Sequence, residues 1–414
     1  MQRPSAFLHF QEVFLMLYSL SLVFLVGLGA AALCRKCRLP GLLGMLLAGI
    51  ALGPCGLNWL DASLLNVSSQ LRQGALILIL LRAGLSLSPR DVKKVGRPAV
   101  LMSCVPAACE ILGYVLLAPR ILGLSRPEAA VMGAVMAAVS PAVVVPRMLQ
   151  LMRLRRGTDK GVPQLIMAGA SCDDIFVVVL FSSFVTMAQG GSVQWTDLLR
   201  GPVSILLGIA LGALLGALLS RLSPLARNMR GSVRALALLS VAMLLPWVED
   251  RLSGIVPVSG LLAAVSMAFV LKCKLPDETV REISNKYETL WIPAEALLFV
   301  LVGAAVDVQY ALAAGPGAAA LILLALAFRM AGVLLCLVAT PMTAREKLFC
   351  AVAYLPKATV QAAIGSVPLS MGLPCGNLVL SVAVLSILIT APLGALGIDL
   401  TAPRLLRQET DAQR

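Results

Sequence analysis

Histidine is nearly missing from this chain, with His9 the single one in 414 residues. A buried imidazole is therefore unavailable as a proton carrier, and proton-coupled chemistry would have to use carboxylates or a lysine. Charge is scarce as well, at 13% of residues, and aromatic residues make up only 5%. No stretch between the apolar runs is longer than about 20 residues, roughly the length of one membrane helix. That leaves no room for a soluble catalytic domain, a nucleotide-binding cassette or a long regulatory tail. Cysteine supplies no framework either: the 10 residues are scattered. Cys34 to Cys37 makes one CxxC with no second pair, so the cysteines read as small apolar fillers. No nucleophile, base and metal set converges, which argues against an enzyme. No cofactor is implied.

Apolar sequence is what the chain has in quantity, with 59% hydrophobic residues and a mean hydropathy of +0.91. Soluble domains do not have this composition. Runs long enough to span a hydrocarbon core recur along the whole length, and thirteen are expected. The first seven cover residues 13–34, 41–59, 72–88, 98–119, 128–147, 163–188 and 199–220. The remaining six cover 232–248, 254–272, 291–306, 315–339, 346–369 and 376–397.

A net charge of +13 invites a nucleic-acid reading, but the basic residues follow loop parity instead. Most of the 34 lysines and arginines fall after odd-numbered spans or in the C-terminal tail, as in Arg35, Lys36 and Arg38, or Arg147, Arg153, Arg155, Arg156 and Lys160. The positive-inside rule then places those loops and the C-terminus in the cytoplasm. The sequon Asn66-Val67-Ser68 falls on the opposite side, in agreement. An external N-terminus without a signal peptide is the arrangement expected where one more helix precedes the first span in longer relatives. The host membrane is the plasma membrane or that of an organelle, and the expected surroundings are lipid rather than nucleic acid.

Ionisable residues deep in such spans cost about 2.5–3.5 kcal/mol each to insert and mark functional candidates. Five stand well inside: Glu110 in the fourth span, Asp173 and Asp174 in the sixth, Arg329 in the eleventh and Lys357 in the twelfth. Arg82 and Glu295 lie nearer span ends, where a snorkelling side chain or access to water accounts for them. A purely structural salt-bridge network is the competing account of the inner five. Adjacent helix residues point about 100° apart, so Asp173 and Asp174 cannot face one partner and should have different jobs.

Two spans carry breaks. The fifth contains Ser140-Pro141-Ala142-Val143-Val144-Val145-Pro146, and the twelfth contains Tyr354-Leu355-Pro356-Lys357-Ala358-Thr359. Each proline removes a backbone donor and biases its predecessor away from the helix, so Pro141, Pro146 and Pro356 are expected to interrupt their spans. A simple kink is the alternative for either alone. In each case a charged residue stands in the preceding span, Glu110 before Pro141 and Arg329 before Pro356. This pattern reads as an internal repeat, spans four to six matching eleven to thirteen. The odd offset of seven spans gives the copies opposite orientations. Paired broken helices in inverted repeats are a design of secondary transporters, with freed carbonyls and half-helix ends at the ion site.

These strings resemble the sodium/proton antiporters of the NhaA and NapA fold, and most closely the animal NHA-type exchangers. The likeness rests on LRAGLSL at 81–87, SPAVVVP at 140–146, GASCDDI at 169–175 and LPKATVQAAIG at 355–365, and extends over about 13–397. It implies an all-α polytopic membrane protein with two crossed discontinuous helices in inverted repeats. An ion-transport core would comprise residues 98–190 and 315–397. A dimerisation scaffold would comprise 1–97 and 191–314, with a cytoplasmic tail at 398–414, and the assembly would be a homodimer. Asp174 matches the cation-binding aspartate of the family, with Asp173 as its partner. Arg329 occupies the span in which electrogenic relatives have lysine.

The function expected is secondary active exchange of Na+ or Li+ for H+ by elevator-type alternating access. A desolvated carboxylate has its charged form disfavoured and is satisfied by either a proton or a cation, and that competition couples the two fluxes. Asp174, Asp173, the Ser140 hydroxyl and carbonyls near 139–144 are the expected ligands of the transported ion. Glu110, Arg329 and Lys357 are expected to compensate charge in the core: Glu110 and Arg329, at corresponding places in the two copies, as a pair, with Lys357 or the aspartates the alternative partners for either, and Lys357 otherwise set against the negative end of a half-helix. Arginine does not release its proton, which favours an electroneutral one-for-one exchange. A cation channel is the rival reading, though filter motifs and charged rings are missing. A non-transporting scaffold that kept the fold is another.

Overall fold

The structure is a computed structural model that describes residues 4–37, 39–86, 97–189, 195–222, 230–252, 256, 258–306 and 308–408. Leu87 lies outside the described residues, as do the side chains of His9, Ala142, Pro146, Ser171, Cys172 and Ile175. Among the described residues the regular structure is helical. The chain opens with α1 (Pro4–Lys36), α2 (Gly41–Leu52), α3 (Ala62–Asn66) and α4 (Ser68–Ser86). There follow α5 (Arg97–Met102), α6 (Val105–Ile121), α7 (Arg126–Ala137), α8 (Pro141–Arg153) and α9 (Val162–Gln189). A middle group comprises α10 (Trp195–Leu222), α11 (Gly231–Leu252), α12 (Gly260–Lys274) and α13 (Asp277–Ala304). The chain then runs through α14 (Val308–Cys336), α15 (Ala344–Ala353), α16 (Thr359–Ile364), α17 (Val367–Ser370) and α18 (Gly376–Leu405).

Among the described residues six helices are long and apolar enough to cross a membrane, and three shorter apolar helices accompany them. Large side chains such as Leu25, Leu214 and Leu335 point outward from them. Water would penalise such a surface, and lipid would not. The chain is an integral membrane protein.

Packing sorts the helices into two sets. In one, α6 lies against α7 and α14, α9 against α7 and α8, and α18 against α14 and α15. In the other, α1 packs on α2, α13 on α2 and α4, and α12 on α4 and α10. At one end of the first set, Arg147 holds Asp399 at 3.1 Å, and the Gly157 N–H donates to the Arg407 carbonyl. A loop after α8 is thereby fastened to the end of α18.

Several sequence expectations need correction. The fifth segment does break, at Ala138–Ser140, but the backbone of α8 continues as helix through Pro146. Only Pro141 marks the interruption, because it occupies the first helical position, where a missing N–H leaves nothing unpaired. In the twelfth segment Pro356 falls within the interval between α15 and α16, as its chemistry demands. The second apolar run is helical only to Leu52, after which Gly53 adopts an extended conformation. The last apolar run, expected to end at residue 397, continues as helix to Leu405, since an apolar face with Ile398 and Ala402 buried carries the periodicity onward.

Candidate functional site

The two interruptions meet. The Ser140 N–H donates to the Pro356 carbonyl at 2.8 Å, joining one break directly to the other. A break exposes the last carbonyls of one half-helix and the first N–H groups of the next, and buried ones must be satisfied. Arg329 meets much of that need. Its Nε donates to the Tyr354 carbonyl at 2.8 Å, and its Nη1 to the Ala137 carbonyl at the end of α7. Gln361 takes the carbonyls on either side, its Nε2 donating to Ala138 at 2.8 Å and Met136 at 3.3 Å. Its Oε1 accepts from the Ala358 N–H at 2.8 Å.

The same guanidinium gathers the buried carboxylates. Arg329 Nη1 donates to Glu110 Oε2 at 2.9 Å, and Nη2 donates to Asp173 Oδ2 at 2.8 Å. Lys357 Nζ donates to that same Glu110 oxygen at 2.5 Å. Lys357 thus reaches across to α6 rather than lying against a half-helix end, because a carboxylate neutralises a full charge where a helix terminus offers about half of one. The Lys357 backbone N–H is held by Thr390 Oγ1 on α18 at 3.0 Å. All of these charged side chains are buried, Arg329, Glu110, Asp173 and Lys357 each at 1% exposure or less.

Asp173 and Asp174 have the separate environments their adjacency requires. Asp173 Oδ2 accepts from Arg329 and from the Val139 N–H at 2.8 Å, so one break and the arginine share it. Asp174 is 6% exposed and is bonded to neither basic residue, and its Oδ1 accepts no hydrogen bond from the protein. Further buried oxygens in the crossing have no protein partner: Glu110 Oε1, Ser140 Oγ, Asp173 Oδ1, the Tyr354 hydroxyl and Thr359 Oγ1. At the first break the carbonyls of Met136, Ala137 and Ala138 already accept donors. Gly169, one turn before Asp173, is needed for close approach, since a side chain there would run into the Tyr354 hydroxyl. Among the described residues no three His, Cys, Asp or Glu side chains form a resident metal cluster.

Of the residues singled out from sequence, Asp173, Asp174, Ser140, Glu110, Arg329, Lys357, Pro141 and Pro356 come together around this crossing. Arg82 and Glu295 do not. Arg82 stacks over Trp291 at 5.4 Å, and Glu295 lines a separate cavity of about 260 Å³ with Arg35, Met45, Val143 and Arg147. Gln361, Tyr354 and Thr390 were not singled out. A glutamine three residues past a break, at the N3 position of the following helix, was the available signal for the first of them.

Residues 20–402 match the family model described as sodium/hydrogen exchanger, transmembrane. The chain belongs to the sodium/hydrogen exchanger family. Among its relatives, the human protein named sodium/hydrogen exchanger 9B2 is 36% identical over 380 residues, covering 89% of this chain and 70% of that one. The corresponding Xenopus tropicalis protein is 35% identical over 407 residues, or 94% of this chain and 74% of its own. Human sodium/hydrogen exchanger 9B1 is 31% identical, with coverage of 91% and 74%. Among solved structures, the Methanocaldococcus jannaschii sodium proton antiporter MjNhaP1 superposes with a TM-score of 0.82, covering 95% of this chain and 99% of that one. At 22% identity that likeness shows a shared fold. The animal relatives agree with the resemblance carried by the four sequence strings, and three of those strings hold Ser140, Asp173, Asp174, Lys357 and Gln361 of the crossing.

Proposed function

We propose that this chain is a secondary active antiporter exchanging Na+ or Li+ for H+. One observation carries the reading: the buried crossing holds three carboxylates, Glu110, Asp173 and Asp174, against two basic groups, Arg329 and Lys357. Formal charge is one negative in excess, and the excess belongs to Asp174, the carboxylate that neither basic group touches. A single proton or a single monovalent cation restores neutrality. A site that is neutral in either loaded form and charged when empty is the electrostatic basis of obligatory exchange, because moving a bare charge through low dielectric is the costly step.

Hard oxygen ligands suit small cations, and Asp174, Asp173 Oδ1 and Ser140 Oγ supply them, with the ion as cargo rather than resident metal. In this reading thirteen spans form inverted repeats. A core of 98–190 and 315–397 moves by an elevator motion against a scaffold of 1–97 and 191–314, in a homodimer. The C-terminus lies in the cytoplasm, and the host is the plasma membrane or an organelle membrane. The separation of the helices into two packed sets supports the division. Exchange is one-for-one and electroneutral.

Proteoliposomes carrying a pH-sensitive dye, given Na+, Li+ and K+ in turn, test the proposal. A cation-driven pH change is expected with Na+ or Li+. Silence with all three would reject antiport and leave a channel or scaffold reading ahead.

A further inference from the structure

Interrupted helices solve one problem and create another. They bring polar backbone into the protein interior, where a transported ion can be bound, but they also offer that ion more oxygen ligands than a small cation needs. At the first break the carbonyls of Met136, Ala137 and Ala138 all face the crossing. Potassium filters show what such a set can do, since rings of backbone carbonyls there replace the hydration shell of a large monovalent cation.

In this protein none of the three is left open. Ala137 receives Arg329, and a carbonyl facing a guanidinium repels a second cation. Met136 and Ala138 receive the two N–H bonds of one uncharged side chain, Gln361, which is completely buried. The same amide accepts the Ala358 N–H, the first donor past the second break. Gln361 is therefore bonded to both interruptions at once, and nothing in its apolar neighbours Val360, Ala362 and Ala363 could replace those bonds.

We propose that Gln361 is a positioning and specificity-determining residue for the exchange. It fastens the two breaks to each other and withholds the Met136 and Ala138 carbonyls, so that the transported ion meets a set weighted towards side-chain oxygens, which favours Na+ or Li+ over K+. The inference rests on the antiport reading above and adds to it the part of the site that selects the cation.

The test compares wild type, Gln361→Ala and Gln361→Glu in proteoliposomes, reading kcat/KM for Na+ and K+ from the same preparation so that the ratio is independent of how much protein is active. Gln361→Ala frees both carbonyls, and the Na+ to K+ ratio is expected to fall by about fivefold, the factor one net hydrogen bond is worth. Gln361→Glu keeps an O–H donor when protonated and repels the carbonyls when ionised. With one donor in place of two, its ratio should lie between wild type and the alanine variant at acid pH and fall towards the alanine value as pH rises. A ratio unchanged in both variants, with only kcat reduced, would show Gln361 to be a brace and overturn the inference. Should the alanine variant not fold, the pH dependence of the glutamate variant's ratio decides alone. Wild type moving no protons with any cation would instead count against the antiport reading itself.

Discussion

Arg329 and Arg72 are both arginines buried in the helical interior, at 0% and 6% exposure, yet they have unlike partners. Arg329 touches two carboxylates and two backbone carbonyls, and Lys357 shares one of those carboxylates. Arg72, in the first turns of α4, donates Nη1 to the Leu301 carbonyl at 3.2 Å, and its Nε has no protein partner. Leu301 lies in the last turn of α13, where the helix dipole is negative, and its carbonyl also accepts the Ala305 N–H. A cation there completes a helix end. Burial of charge therefore does not by itself identify a transport site. What separates the two arginines is the company they keep: among the described residues no carboxylate is bonded to Arg72, whereas around Arg329 three carboxylates outnumber two basic groups, an excess that a proton or a cation can neutralise.

The contrast breaks most visibly at Asp174. If the unbalanced carboxylate is the carrier, Asp174→Asn should abolish cation-driven proton flux while leaving detergent-solubilised protein monodisperse and thermally stable, because an amide neither holds the proton nor balances the cation. Asp173→Asn should impair exchange more through disorder at Val139 and Arg329 than through loss of the ion. Full flux in the Asp174 variant at normal protein levels would remove it from the mechanism.

A smaller effect, on stability, distinguishes a network from a set of pairs. Either Glu110→Gln or Arg329→Gln alone leaves an uncompensated buried charge, expected to cost about 3–5 kcal/mol. The double variant leaves Asp173 and Lys357 to balance each other, so its loss in a thermal melt should fall well short of the sum. Additive losses would mean that the guanidinium and the Glu110 carboxylate do not act together. Arg72→Met should cost less, about 1–2 kcal/mol for an end-of-helix charge and its hydrogen bond. It should leave the KM for Na+ unchanged, and a shifted KM would join Arg72 to the site after all.

How much of this was legible in the sequence follows the same division. Apolar runs gave the helices, and insertion cost drew attention to Glu110, Asp173, Asp174, Arg329 and Lys357. Hydropathy does not encode which of them touch, because Lys357 and Glu110 are 247 residues apart. Gln361 escaped notice because only charged residues were sought in the apolar strings, although its buried amide makes three hydrogen bonds. Arg72 escaped because it stands at the edge of its apolar run, where burial depends on how α4 meets α13. Pro146 misled in the opposite direction: two prolines in one segment suggested two interruptions, but the backbone stays helical at the second.

The smallest expected effect is none at all, and it bears on stoichiometry. Lys357 is the one basic group in the crossing that could release a proton when a cation arrives, as buried lysines can. Against that stands Glu110, whose Oε2 it shares with Arg329: deprotonating Lys357 would leave a carboxylate with one cation instead of two and withdraw a charge-assisted bond. Arg329 itself cannot lose a proton at any cellular pH. If Asp174 is the only group that changes state, as proposed, the core should carry the same total charge in both directions. Moving one elementary charge through a membrane potential is worth roughly 2.3 kcal/mol per 100 mV, about fifty-fold in an equilibrium, so the alternative would be plain to see. Proteoliposomes clamped with K+ and valinomycin at opposite potentials should exchange Na+ for H+ at equal initial rates. A rate that follows the potential would mean that two protons cross per cation, and Lys357→Gln should then abolish the voltage dependence if the lysine carries the second.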